Sequence, residues 1–286
     1  MKLGIIGGSG LAAMPGLAGA WRAVETPWGA PSDALLEGML AGLPVLFLPR
    51  HGRGHRLAPS ELNARANIAA LKMAGCTAIL ALGAVGSFRE ALAPGHFCLV
   101  DQFVDRTQAR AKSFFGEGIV GHVGLARPVA DDLVARVARA AAAAAVRHTV
   151  GGTCLVIEGP QFATRAESLA ARAAGLDVVG MTAMPEAALA REAELAYAFV
   201  AMVTDFDSWS TTHVTTAGVL EVMRANAARA HALIAALAAE LVTDPLPIPS
   251  AQGWERALDG AVVTAREAWP EPTRRRLAAI APRIFA

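Results

Sequence analysis

The stretch LGIIGGSGL, Leu3 to Leu11, decides the fold class. Residues 3–6 are a short apolar run, and Gly7-Gly8-Ser9-Gly10 ends it abruptly. A strand without polar alternation belongs in a sheet covered on both faces. Similar runs recur at 45–48, 79–82, 97–100, 154–157, 178–179 and 199–203. Helical patterning fills several intervals. Pro59-Ser60 opens one helix, with Leu62, Ala66, Ala69 and Met73 on one face and Gly75 closing it. Residues 128–147, 164–174, 185–194 and 216–242 read as further helices. Strands interleaved with helices predict an α/β fold around a largely central sheet. Leu62, Met73 and Leu189 are expected in its core.

The segment TDPLPIPSAQG, 243–253, places three prolines after the long helix and marks a boundary. It separates a main domain, 1–243, from an amphipathic C-terminal extension, 244–286. No role is assigned to the extension, which is expected to pack on the same domain or on a neighbouring subunit.

Composition excludes more than it identifies. The formal net charge of +1 gives no electrostatic case for nucleic acid or an anionic membrane. Arg274, Arg275 and Arg276 read as a solvated face. Cys76, Cys98 and Cys154 form no CxxC pair, which predicts reduced, buried thiols and a cytoplasmic protein. Lys2 leads straight into the first strand, so no signal peptide is expected. The apolar run 77–88 falls short of the roughly 20 residues that span a bilayer.

Three segments carry chemistry. GIIGGSG, 4–10, can bring backbone N–H groups and the Ser9 hydroxyl to a phosphate, although a plain tight turn would need the same glycines. Gly8, Gly10 and Ala13 also imitate a dinucleotide fingerprint. Pro15-Gly16 would break the helix that fingerprint requires, which counts against nicotinamide chemistry. PRHGRGHR, 49–56, gathers Arg50, His51, Arg53, His55 and Arg56 after a strand. Guanidinium forks and imidazole N–H groups there suit an oxyanion, and no third ligand accompanies the two histidines for a metal. TDFDSW, 204–209, sets Asp205 and Asp207 two residues apart after the last strand. Such a pair can accept from an amino group or act as a general acid.

Taken together, GIIGGSGL (4–11), TPWGAPSDAL (26–35), RHGRGH (50–55), ELNARANIAALKMAGC (61–76), GAVGSFRE (83–90), DQFVDRT (101–107), IEGPQFATRAES (157–168), GMTAMPEAALARE (180–192) and TDFDSW (204–209) resemble the purine nucleoside phosphorylase family, in its methylthioadenosine phosphorylase branch. The resemblance implies a single α/β domain with a central mixed, barrel-like sheet flanked by helices. It implies a homotrimer, purine nucleoside and phosphate as substrates, and no metal or organic cofactor. By resemblance, Ser9, Arg50, His51, Ala84 and Thr182 line a phosphate site. Met181 lies under the ribose, His55 and His122 stand around the sugar and its 5′ substituent, and Phe162 stacks on the purine. Asp205 and Asp207 read the purine, with Asp205 serving N7. Asp205 and His51 are the candidate catalytic residues.

Asp205 and Ala163 stand where the 6-oxopurine branch usually has Asn and Glu, which favours a 6-aminopurine. Gly83 replaces a frequent Thr, and Gln161 replaces the Arg usual in the methylthioadenosine branch. These departures keep two alternatives open, a 6-oxopurine or methylthioinosine phosphorylase and a non-catalytic nucleoside-binding protein; the dinucleotide-like spacing of Gly8, Gly10 and Ala13 keeps a third, an NAD-dependent oxidoreductase.

Overall fold

The computed structural model describes residues 1–8, 11, 14–210 and 216–286, with the side chains of 216–220 outside the description. Eleven described strands form one sheet: β1 (Leu3–Gly7), β2 (Ala18–Arg22), β3 (Leu35–Leu40), β4 (Leu43–Pro49), β5 (Ala78–Ser87), β6 (Phe97–Val100), β7 (Gln102–Asp105), β8 (His148–Val150), β9 (Thr153–Val156), β10 (Val178–Gly180) and β11 (Ala196–Phe206). The helices are α1 (Ala64–Met73), α2 (Asp131–Ala143), α3 (Arg165–Ala173), α4 (Ala183–Glu192), α5 (Thr216–Thr243), α6 (Glu271–Ala278) and α7 (Pro282–Phe285).

β5 is the hub. Its first half lies parallel to β1, its whole length parallel to β11, and its last residues antiparallel to β10. From β11 the sheet continues antiparallel to β6 and then parallel to β8. From β10 it continues parallel to β9 and β7. Only Gly151-Gly152 separates β8 from β9, at φ of +86° and +133°. A Cβ on Gly152 would meet the Cys98 Sγ at 3.0 Å, so this corner demands glycine. The bend turns the path β5–β11–β6–β8, β9–β10–β5 back on itself. The expected mixed, barrel-like α/β sheet is therefore found, and β2, β3 and β4 extend it beyond β1.

Burial explains the uninterrupted apolar runs. Leu3, Ile5, Ile6, Ile79, Leu80 and Val200 are all fully buried. β2 is different: all five residues are exposed at the sheet's edge, and nothing in its pattern announced a strand. α1 begins at Ala64, later than Pro59, because Pro59–Glu61 is a separate 3₁₀ turn and the Asn63 side chain caps Ala66 N–H at 3.1 Å. Leu189 is buried as expected, but Met73, the last residue of α1, is exposed. Ala66, Ile68, Ala69, Ala70 and Leu71 carry that helix's contact with the core.

Within α5, Glu221–Thr243 is long and apolar enough to cross a membrane by length and composition alone. Its Leu233, Ile234, Leu237 and Ala238 are fully buried in the protein core instead. The segment after α5 joins that same core through Trp254, Leu258, Leu277, Ile280 and Phe285. Ion pairs of Arg136 with Asp244 and of Arg283 with Glu194 tie it down.

Candidate active site

Three interruptions in the sheet create the site. β1 pairs with β5 only as far as Ala81, and β10 joins at Gly86. Residues 82–85 thus have one open edge. Arg50 follows β4 directly, and its Nη1 donates to the Leu82 carbonyl at that edge, 2.8 Å away. Backbone direction alternates along a strand, so the N–H of Ala84 faces the same gap. The third interruption is in β11, where the register against β5 slips between Val203 and Asp205. The bulge sends Thr204, Asp205 and Asp207 toward the gap.

A cavity of about 330 Å³ fills this space. Gly8, Arg50, His51, Ala84, Met181, Thr182, Asp205 and Asp207 all line it; Arg50 and Thr182 sit against Leu82 and Gly83 of β5, and Asp207 sits further along the strand against Gly86. The sheet thus unites residues from five chain segments. Ser9 lies outside the described residues. Phe162 lines the cavity but is 79 % exposed, which makes it a rim residue in this chain. His55 also lines it, with its ring stacked on that of His51 at 4.3 Å.

His122 is not brought to the cavity. Its backbone N–H donates to the Ala261 carbonyl at 2.9 Å and its neighbour Gly121 bridges Val262, leaving the His122 side chain exposed. This contact with the C-terminal segment is not legible as a local pattern. Gln161 is exposed and also outside the cavity lining, so its departure from the branch touches nothing there. Gly83 is different. A Cβ on it would meet the Phe199 Cζ at 2.9 Å, so the ring of Phe199 occupies space that a larger residue would need.

Two expectations about donors are corrected. Arg50 lines the cavity with most of its guanidinium already committed to protein partners. Its Nε and Nη2 donate to the Glu186 carboxylate at 3.0 and 3.2 Å, and both side chains are almost fully buried. With Nη1 on Leu82, three of the five guanidinium N–H bonds are used, leaving one on each terminal nitrogen. Tyr197 donates to the same carboxylate at 2.8 Å. Glu186 was missed because its block reads as a packing helix; an acid within an apolar helix was the available signal. His51 likewise spends its N–H elsewhere. Its Nδ1 lies 2.9 Å from the Leu57 carbonyl, which can only accept. Burial pushes the ring's pKa down to about 4, with Arg50 and His55 adding repulsion against the bond to Leu57. His51 is thus a neutral imidazole.

Arg110 is a second residue that sequence patterning missed. It donates to the carbonyls of Met181 at 2.6 Å, Met184 at 2.9 Å and Glu158 at 2.7 Å. One guanidinium therefore straps the wall carrying Ile157 and Pro160 to the wall carrying Met181 and Thr182.

At the acidic end, Thr204 Oγ1 donates to Asp205 Oδ1 at 2.6 Å. Burial holds the Asp205 carboxyl above the usual carboxylate range against that hydrogen bond, and Asp207 pushes it the same way. Burial raises Asp207 too, opposed by Ser168 and the Ser208 N–H. The Asp207 Oδ2 is buried without a partner among the described residues. A buried carboxylate oxygen without a donor is costly and calls for one from a ligand. The cavity therefore opposes oxyanion donors at one end with an acid and an acceptor at the other.

A family model described as the phosphorylase superfamily matches residues 2–239. The chain belongs to the phosphorylase superfamily. This phosphorylase is 52 % identical to the S-methyl-5′-thioadenosine phosphorylase of Bradyrhizobium diazoefficiens, over 99 % of this chain and 98 % of that one. It is also 52 % identical to the enzyme of the same name from Rhodospirillum rubrum, over 99 % and 97 %. Among solved structures, a methylthioadenosine phosphorylase from an Antarctic soil metagenomic library superposes with a TM-score of 0.92 at 42 % identity, over 97 % and 98 %. The methylthioadenosine phosphorylase of Schistosoma mansoni in complex with adenine gives 0.87 at 36 %, over 92 % and 99 %. The C-terminal segment of this phosphorylase falls within the length it shares with these relatives.

Proposed function

We propose that this phosphorylase cleaves 5′-methylthioadenosine with phosphate, releasing adenine and 5-methylthioribose 1-phosphate. The observation that carries this reading is the acidic end of the cavity, where a raised Asp205 stands beside an unpartnered Asp207 oxygen. Asp207 accepts from the exocyclic amino group of adenine, and the Asp205 carboxyl donates to N7. A 6-oxopurine has no amino group there and leaves the buried acceptor unpaired, which is a strong basis for rejection.

Phosphate sits at the opposite end on the remaining Arg50 N–H bonds, the Ala84 N–H and the Thr182 hydroxyl. One of its oxygens attacks C1′ as the bond from C1′ to N9 breaks. The departing electron pair enters the purine, and the proton from Asp205 neutralises it at N7. Asp205 recovers a proton from solvent. Met202, Met223 and Ala227 supply apolar wall suited to a methylthio group. No metal or organic cofactor takes part in this scheme. A homotrimer in the cytoplasm, recycling the thioether sugar toward methionine, completes the proposal.

The test is base release from methylthioadenosine, adenosine, methylthioinosine and inosine, each with and without phosphate. Phosphate-dependent adenine from methylthioadenosine is expected. Preferential hypoxanthine release would keep a phosphorylase but reverse the role given to the aspartates. Tight nucleoside binding without turnover would point to a binding protein.

A further inference from the structure

We infer that His51 offers the oxyanion seat a hydrogen-bond acceptor, and so selects tetrahedral dianions that still carry a proton, hydrogenphosphate over sulfate. The inference rests on the reading of this end of the cavity as the phosphate site, and it adds a specificity rule that the reading does not contain.

Geometry assigns the tautomer. The Leu57 carbonyl is an acceptor only, so the proton between it and Nδ1, 2.9 Å away, belongs to the ring. A neutral imidazole has a single N–H, which leaves a lone pair on Nε2. Protonating that nitrogen as well would create a cation beside Arg50 in a buried position, which burial and charge both oppose. The ring is held in place from its other side by His55, stacked at 4.3 Å and 18°. His51 lines the cavity, and no protein group occupies Nε2 among the described residues.

The surrounding groups are mostly donors: two guanidinium N–H bonds of Arg50, the N–H of Ala84 and the Thr182 hydroxyl. Donors alone would hold sulfate and hydrogenphosphate equally, since both are tetrahedral dianions. A lone pair among them separates the two. Hydrogenphosphate turns its O–H toward Nε2 and keeps its bare oxygens for the donors. Sulfate must set an oxygen against the lone pair or leave the nitrogen unpaired. An unpaired buried acceptor weakens binding by about tenfold to a hundredfold.

Calorimetric titration of the intact protein at pH 8 tests this, using phosphate, arsenate, sulfate and monofluorophosphate. Phosphate and arsenate carry an O–H there, and the other two are dianions without one. The first pair should bind at least about tenfold tighter than the second. His51→Ala should bring all four to within about twofold of each other. Equal binding of the four by the unaltered protein, or an undiminished preference in His51→Ala, overturns the inference. If the variant does not fold, nitrogen NMR of His51 decides alone: a proton on Nδ1 and a bare Nε2 support the inference, and a proton on Nε2 overturns it. Phosphate-dependent adenine release together with equal anion binding would remove this inference and leave the phosphorylase reading standing. Absence of any oxyanion binding while nucleoside binds would remove both.

Discussion

The Nε of Arg50 lies 3.0 Å from Glu186, and the pair is sealed from solvent at the floor of the oxyanion end. The arginine therefore enters the phosphate site with its charge already balanced. Removing one partner of a buried ion pair typically costs about 3–5 kcal/mol, because the other is left uncompensated. Glu186→Gln keeps the shape but frees the Arg50 charge. The variant should melt well below the parent without phosphate and gain more from added phosphate than the parent does. Thermal unfolding with and without phosphate checks both; an equal phosphate gain in the two proteins would contradict the balanced-charge account.

Asp205 is raised by burial and by Asp207, so its acid form persists above the ordinary carboxylate range and is drained as pH climbs. The kcat/KM for methylthioadenosine should fall on the alkaline side as that proton is lost. Asp205→Asn should remove this limb of the profile, lower turnover of methylthioadenosine by about 10²–10⁴-fold, and shift preference toward 6-oxopurines. Steady-state kinetics across pH on both base classes measures all three effects.

Glu192 is buried at the end of α4, accepting from the Phe114 N–H at 2.6 Å and the Ser113 hydroxyl at 2.8 Å. Burial still pushes its pKa from 4.5 up to about 7. Between those values the folded chain holds a proton that the unfolded chain has released. Stability contributed by this group is thus present at low pH and lost as pH rises through about 7, by ~3 kcal/mol in all. Glu192→Gln should flatten the dependence, so that its urea midpoint changes less than the parent's between pH 5 and pH 8.

Arg110 touches no substrate in the proposed scheme and acts by position, holding the carbonyls of Met181, Met184 and Glu158. Slack of about 1 Å between the two walls would cost on the order of 10²-fold in rate. Arg110→Ala should lower kcat more than it raises KM, and Arg110→Lys should recover little, because one ammonium cannot span three carbonyls set around a planar fork. A variant with unchanged kcat would show the strap to be structural only.

Much of the architecture was legible in the chain. Continuous apolar strands such as residues 3–6 and 199–203 can lie only in a sheet covered on both sides, and helices between them complete an α/β fold. The family motifs also marked most of the cavity, because the glycines, the Arg-His segment and the paired aspartates lie at or just past strand ends. Long-range pairing was not legible. The exposed β2 strand exists only because β3 offers it an edge, and Met73 is exposed because α1 meets the core through Ala66–Leu71 instead.

What the sequence by itself determined is which chemical groups the protein owns and which runs must be buried, since hydrophobic periodicity and side-chain chemistry are local properties. Tertiary structure alone decided how those groups are used. Glu186 reaches Arg50 across 136 residues, and His122 lies against the C-terminal segment rather than the cavity. The Leu57 carbonyl fixes the proton on His51, and the slip in β11 aims Asp205 and Asp207 inward. In each case the deciding partner is a backbone or side-chain group whose nearness depends on how strands and helices pack, and no local pattern encodes that distance.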